Sequence, residues 1–220
     1  MTDTLSELFA RLYPNDVVGV ELSDPARAEP LFEDEEPVVA RAVEKRRTEF
    51  ALGRTAARQA LAQLGVQAGA LLQNKDRSVQ WPDAAWGSIT HADGICAAVA
   101  TLRASHAGIG IDAELRGRVK RELWGHIATE REQAWLGDAD EEEAAARATL
   151  LFSAKEAFYK AQFCASRGWV GFHDAQLQFD EEGGFEVELL IDVGITFRRG
   201  QRFQGRWGFL PHHVVTGLVL

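Results

Sequence analysis

Three stretches of this chain carry residues whose types and spacing could do chemistry. Phe152 to Ala161 reads FSAKEAFYKA and holds Lys155, Glu156, Tyr159 and Lys160. At about 100° per residue, Leu150, Leu151, Ala154, Ala157, Phe158 and Ala161 share one apolar helix face. Lys155, Glu156, Tyr159 and Lys160 fan out opposite, with Phe152 and Phe163 between them. A solvated face rarely interleaves charges with two Phe side chains, so Glu156 and Lys160 are expected to border a cleft. The other reading is an i,i+4 surface pair, worth on the order of a few tenths of a kcal/mol.

The second stretch is GIGIDAEL, residues 108–115. Ile109 and Ile111 alternate with Gly108 and Gly110, as in a strand packed closely against something. Asp112 and Glu114 are two apart, so both point to one side of an extended backbone. Adjacent carboxylates repel unless a cation lies between them, and oxygen-only ligands suit Mg²⁺. A solvated strand end beside the basic run Arg116, Arg118, Lys120 and Arg121 is the competing reading. In the third stretch Arg47, Arg54 and Arg58 share a helix face, with Arg46 to one side. That stripe is either a solvated face balanced by Glu44 and Glu49 or a phosphate site, for which arginine is suited. His91 follows Ser88 and Thr90 just before an apolar strand, where it is either structural or a phosphate donor. A metal held by three carboxylates, cations for phosphate and no nucleotide loop together suggest transfer from a pyrophosphate-containing donor.

The elements that must position these groups follow from the pattern. Residues 3–12 form an amphipathic helix ended by Pro14, and residues 17–22 a strand. One long helix is expected from Pro37 to Leu64, stopped by Gly65, with Gly53 marking a break or a close approach. Residues 66–80 read as loop and Ile95 to Leu102 as strand. Asp138 or Asp140 caps the helix that carries the first stretch. After Gly168 the chain reads as a run of strands, turning at Glu182-Gly183-Gly184 and Arg199-Gly200. His212 and His213, with no acidic or Cys partner nearby, read as surface residues. Helix-and-strand segments recur in each half, which makes the fold α+β.

Composition frames the function. With 33 acidic against 24 basic residues, the formal charge of −9 argues against a general nucleic-acid binder. No stretch reaches the roughly 20 apolar residues of a membrane span. The acidic start MTDTLSELF lacks a signal-type core, and two cysteines form no framework, so a cytoplasmic protein with reduced thiols is expected.

Four segments carry a resemblance. KRRTEFALGRTAARQALAQLG (45–65), WPDAAWGSITHADG (81–94), GIGIDAEL (108–115) and LFSAKEAFYKA (151–161) occur in the order and spacing of the 4′-phosphopantetheinyl transferases. The chain resembles the larger, Sfp/EntD-like class, and most closely its actinobacterial members. The resemblance implies two similar α+β halves, 1–107 and 108–220, with coenzyme A in the cleft between them. It implies that Asp112, Glu114 and Glu156 hold Mg²⁺, with the Ala113 carbonyl as a further ligand. It implies that Arg46, Arg54, Thr90, His91 and Lys155 bind coenzyme A, with Lys160 near the pyrophosphate and Val170 near the pantetheine arm. Glu156 is then the general base, directly or through a water, and Asp112, Lys155 and Lys160 support the transfer. The family often has G-x-P-x-W-P where this chain reads QNKDRSVQWP, so either Lys75 or Arg77 grips the nucleotide there. The implied partners are acyl or peptidyl carrier proteins of fatty-acid, polyketide or non-ribosomal-peptide assembly, met by a monomer. Another Mg²⁺-dependent phosphotransferase and a non-catalytic coenzyme A or carrier-binding module are the alternatives.

Overall fold

A computed structural model describes residues 4–220. Thr4 and Glu7 close a capping box that starts α1 (Leu5–Leu12), whose Leu5, Leu8, Phe9 and Leu12 are buried. β1 (Val18–Glu21) follows. The single helix expected over 37–64 is instead two, α2 (Glu36–Val39) and α3 (Glu44–Gln63). The chain turns at Ala40 to Ala42, and extended Val43 precedes α3 (φ −65°, ψ 156°). Gly53 does not break α3; a side chain there would run into Ile89 on the sheet below. Gly65 (φ 76°) ends the helix as expected. β2 (Ala85–Ala92) and β3 (Ile95–Leu102) form a hairpin about Asp93-Gly94, with Gly94 at φ 81°. His91 therefore lies inside a strand rather than ahead of one.

The second half begins with β4 (Ile109–Leu115). Three helices follow: α4 (Trp124–Ile127), α5 (Glu130–Gly137) and α6 (Glu141–Ser166). Asp140, not Asp138, caps α6 by accepting from the Glu143 N–H. Four strands complete the chain: β5 (Ala175–Phe179), β6 (Gly184–Leu189), β7 (Arg202–Phe209) and β8 (His213–Val219). Gly183 (φ 85°) and Gly200 (φ 84°) sit in the turns read from the sequence.

The two sheets are antiparallel, in the orders β1-β3-β2 and β4-β8-β7-β6-β5. In each half a strand is followed by a long helix and a hairpin, and the first strand pairs with the last. β1 lies beside β3 and β4 beside β8 in the same way, and the β5–β6 pair extends the second sheet. The two halves share part of their core. Leu5, Leu8, Phe9, Leu12 and Tyr13 pack with Val99 of the first sheet and with Ile109, Ile111 and Val215 of the second. The Tyr13 hydroxyl donates to the Gly110 carbonyl at 2.7 Å.

Two contacts position the site. β2 meets the free edge of β4 without a backbone ladder. Ser88 Oγ accepts from the Ile111 N–H at 3.1 Å and Thr90 Oγ1 from the Ala113 N–H at 3.0 Å. Both numbers rise together, so β2 and β4 run parallel across this seam. α6 then crosses β4 at very short range. A side chain at Gly108 would strike the Ala161 carbonyl, and one at Gly110 the Ala157 carbonyl. Four helical residues rise about 6 Å and two strand residues about 6.6 Å, so helix and strand stay in step. Among the described residues, no helix is long and apolar enough to cross a membrane.

Candidate active site

The seam brings the first two sequence stretches together. Asp112 on β4 is 6% exposed. Its Oδ1 pairs with Lys160 Nζ of α6 at 2.7 Å, and Lys160 also donates to the Ile111 carbonyl at 2.9 Å. Asp112 Oδ2 is buried with no hydrogen-bond partner, a costly state for a carboxylate oxygen. Glu114 lies on the same side of the strand and meets Arg118 at 3.0 Å. Burial, then Asp112, push the Glu114 carboxyl above its ordinary value. Burial also raises Glu156, with Lys160 opposing the shift and Asp112 adding to it. All three carboxylates are thus in electrostatic reach around Asp112. Among the described residues, though, no three acidic, His or Cys side chains stand close enough to hold a metal ion unaided. The Ala113 N–H goes to Thr90, so its pair with Val215 lies outside the ladder bonds and its carbonyl also turns toward the seam.

Lys155 does not join them. Its Nζ is bonded to Glu132 Oε2 at 2.7 Å and to the Phe172 carbonyl, with the Lys155 side chain 3% and Glu132 2% exposed. Lys155, expected to grip phosphate, is turned toward Glu132 in this structure. Its ammonium is the buried counterion of Glu132, and burial pulls its pKa below the ordinary value despite that partner. Glu132 is the residue that sequence reasoning missed. Besides Lys155 it accepts from the Thr129 and Leu177 N–H groups, tying α5, α6 and β5 together. Its Thr-x-x-Glu spacing from Thr129 was the available signal.

The arginine stripe is also dismantled. Arg47 pairs with Glu36 and Arg58 with Glu35, which is fully buried and also accepts from the Leu71 N–H. Arg54 is 4% exposed, donates from Nε to the Leu71 carbonyl at 2.8 Å and lies over the Phe50 ring. Burial lowers its pKa to about 10, which still leaves it charged at neutral pH.

Arg46 behaves differently. Its Nη1 donates to His91 Nε2 at 2.6 Å, which requires a neutral imidazole with its proton on Nδ1. Glu49 Oε2 is 3.9 Å from that Nδ1. Burial first and Arg46 second hold the His91 pKa below its ordinary value. His91 and Arg46 are nearly half exposed, so this cationic pair is open to an anion from solvent. Thr90, by contrast, is buried and joins β2 to β4. Lys75 is exposed on the 73–79 turn. The surface reading of His213 is corrected: it is 8% exposed, with Nε2 bonded to the Asp93 carbonyl.

A cavity of about 370 Å³ runs between the halves. Arg77, Ser78, Trp81 and Trp86 line one wall, and Glu156, Tyr159, Lys160, Phe163 and Arg167 the other. A smaller cavity of about 100 Å³ lies beyond Glu156, walled by Tyr159, Trp169, Val170 and Phe172. The first is largely apolar, and both Glu156 and Lys160 line it. Such a lining suits a molecule with an apolar part and an anionic group.

Residues 34–101 match the family model of the 4′-phosphopantetheinyl transferase N-terminal domain, and residues 108–216 match that of the 4′-phosphopantetheinyl transferase superfamily. The chain is 37% identical over 231 residues to the 4′-phosphopantetheinyl transferase PptT of Mycobacterium tuberculosis, covering 99% of this chain and 100% of that one. It is 37% identical over 193 residues to the 4′-phosphopantetheinyl transferase Svp of Streptomyces mobaraensis, covering 86% and 78%. It is 34% identical over 211 residues to the 4′-phosphopantetheinyl transferase Npt of Nocardia iowensis, covering 91% and 92%.

Proposed function

The chain belongs to the 4′-phosphopantetheinyl transferase family, and we propose that the cleft between α6, β2 and the 76–81 segment is where it works. It transfers the 4′-phosphopantetheine group of coenzyme A to a serine of an acyl or peptidyl carrier protein. The serine oxygen bonds to the β-phosphorus as the pyrophosphate P–O bond breaks, and adenosine 3′,5′-bisphosphate leaves.

The observation that carries the site assignment is Asp112. Its buried Oδ2 lacks a partner, and Glu114 and Glu156 are raised in part by its charge. Hard oxygen donors gathered in this way fit Mg²⁺. Asp112, Glu114, Glu156 and the Ala113 carbonyl would hold it, with pyrophosphate oxygens completing the set. When bound, Mg²⁺ neutralises charge on the pyrophosphate.

The chain's own groups do the rest. Glu156 takes the serine proton, directly or through a water, and beside Mg²⁺ it would stay ionised for that role while being weakened as a base. Lys160 moves from Asp112 toward the leaving phosphate, a short step because it already stands at the cleft wall. Arg46 and His91 take a phosphate of the nucleotide end, with Arg54 behind them and Lys75 or Arg77 on the turn above. Val170 and Tyr159 border the pantetheine arm. The exposed run Arg116, Arg118, Lys120 and Arg121, starting two residues after Glu114, receives the carrier. The halves divide at 107/108. The protein acts as a monomer, since one chain supplies both cleft walls. It acts in the cytoplasm, in keeping with free Cys96 and Cys164.

The test is to incubate the protein with coenzyme A, Mg²⁺ and a panel of apo carrier proteins and weigh the products. A phosphopantetheine mass gain on at least one carrier is expected. Failure with every carrier, while coenzyme A still binds, would favour a non-catalytic binding module.

A further inference from the structure

Two non-glycine residues among those described have left-handed backbone, Arg77 (φ 70°) and Arg167 (φ 53°). They stand on opposite walls of the same cleft. Arg167 closes α6 at a position where glycine is the usual choice, so an arginine there carries a backbone cost of roughly 1 kcal/mol. What it gains is a bond across the cleft mouth: its Nη1 donates to Ser78 Oγ at 3.2 Å. Ser78 Oγ in turn donates to Asp76 Oδ1 at 2.6 Å and accepts from Asn74 Nδ2 at 2.9 Å. That uses the full capacity of one hydroxyl, a single donor and two acceptor sites. The Asn74–Ser78 turn is otherwise held by local bonds, Asn74 N–H to the Ser78 carbonyl and Gln73 Nε2 to the Arg77 carbonyl. Among the described residues, Arg167 supplies the hydrogen bond that fixes the turn to the other half of the molecule.

Strained backbone facing a ligand cleft points to function rather than stability. We infer that Arg167 is a positioning residue for coenzyme A, acting through Ser78 to hold the turn that carries Lys75 and Arg77 over the cleft mouth. This rests on the proposed placement of coenzyme A in the cleft. Arg167 touches neither Glu156 nor Lys160 among the contacts described, so its loss should change binding and leave the chemical step alone.

The experiment pairs calorimetry of coenzyme A binding with steady-state transfer for Arg167→Gly, Ser78→Ala and the double variant. Arg167→Gly relieves the left-handed backbone, so its melting temperature should hold or rise. Coenzyme A affinity should nevertheless fall roughly tenfold, the worth of one charge-assisted hydrogen bond. KM for coenzyme A should rise in parallel with kcat within about twofold, the split expected for lost ground-state binding. Ser78→Ala should show the same fall, and the double variant no more than either alone. Unchanged affinity in Arg167→Gly, or full additivity in the double variant, would overturn the inference. So would a normal Ser78→Ala, which would mean that Arg167 touches the ligand itself. A wild-type protein that binds no coenzyme A would instead sink the functional reading, and this inference with it.

Discussion

Lys160 Nζ lies 2.7 Å from Asp112 Oδ1, so one ammonium joins α6 to the edge strand of the second sheet. The pair is internal charge balance for a carboxylate that is otherwise buried and underbonded. Removing Asp112 therefore strips Lys160 of its carboxylate partner as well as removing a proposed metal ligand.

For Asp112→Ala, transfer should drop by at least a hundredfold. The melting temperature should stay within a few degrees, because Lys160 is a quarter exposed and water can take over. Rates and melting curves, measured with and without EDTA, check both halves. Full activity in EDTA, or a wild-type rate for the variant, would show that the carboxylates hold no catalytic metal.

Arg54→Ala should weaken coenzyme A binding and also lower stability. The guanidinium is buried between Phe50 and the Leu71 carbonyl. Its loss leaves a gap and an unpaired acceptor, worth about 1–3 kcal/mol. Urea melts and calorimetry should move together; a variant as stable as wild type would argue against the buried placement.

Lys155→Met should be more damaging to the fold than to catalysis. It leaves Glu132 charged and unpaired in the interior, a change that costs about 3–5 kcal/mol. Adding Glu132→Gln should recover much of that stability and, with it, measurable transfer. If the double variant is folded but inactive, Lys155 has a direct part in the reaction.

How much of this was legible in the sequence depends on distance along the chain. Asp112 and Glu114 share a strand side through a spacing of two, and the close approach at Gly108 and Gly110 was readable from the glycines themselves. The Asp140 cap, the turn glycines and the core helix face were local patterns too. What failed was the partnering of buried charges. Lys155 meets Glu132 and Arg58 meets Glu35, each across 23 residues, and helical periodicity says nothing about such partners. Arg47 and Arg58 looked like phosphate ligands because their carboxylates, Glu36 and Glu35, lie in a preceding segment that folds back on the helix. Likewise nothing local marks the break at Ala40 to Ala42, since every residue there would sit comfortably in a helix.

The pH dependence of coenzyme A binding should report His91. In the free protein burial and Arg46 depress its pKa, so the neutral form is favoured in the fold. A side chain of this kind contributes stability above its ordinary pKa of 6.5 and loses it as pH falls toward the depressed value. The ligand-free protein should thus soften modestly below about pH 6.5. An incoming phosphate favours imidazolium, so binding should draw in a proton and tighten as pH drops from 7.5 toward 6. Calorimetry in buffers of different ionisation heat reads the proton directly, and His91→Gln should remove that uptake. Equal proton uptake in the variant would place the phosphate elsewhere.

Reversing Lys120 and Arg121 to Glu should slow transfer to an acidic carrier severalfold at low ionic strength and less at high salt. Both side chains are exposed, so melting should not change. A rate and salt dependence like those of wild type would remove this loop from the docking surface.

Gly110 makes the bare peptide of β4 a spacer gauge. Its missing methyl lets the Ala157 carbonyl rest on the strand, and that contact sets how far Glu156 and Lys160 stand from Asp112. An alanine there would act as a shim, levering α6 outward without altering a single reacting group. Chains that keep every carboxylate and lysine could therefore still be silent enzymes if they lack glycine at this one place, and a search for working relatives should inspect it before the acidic residues.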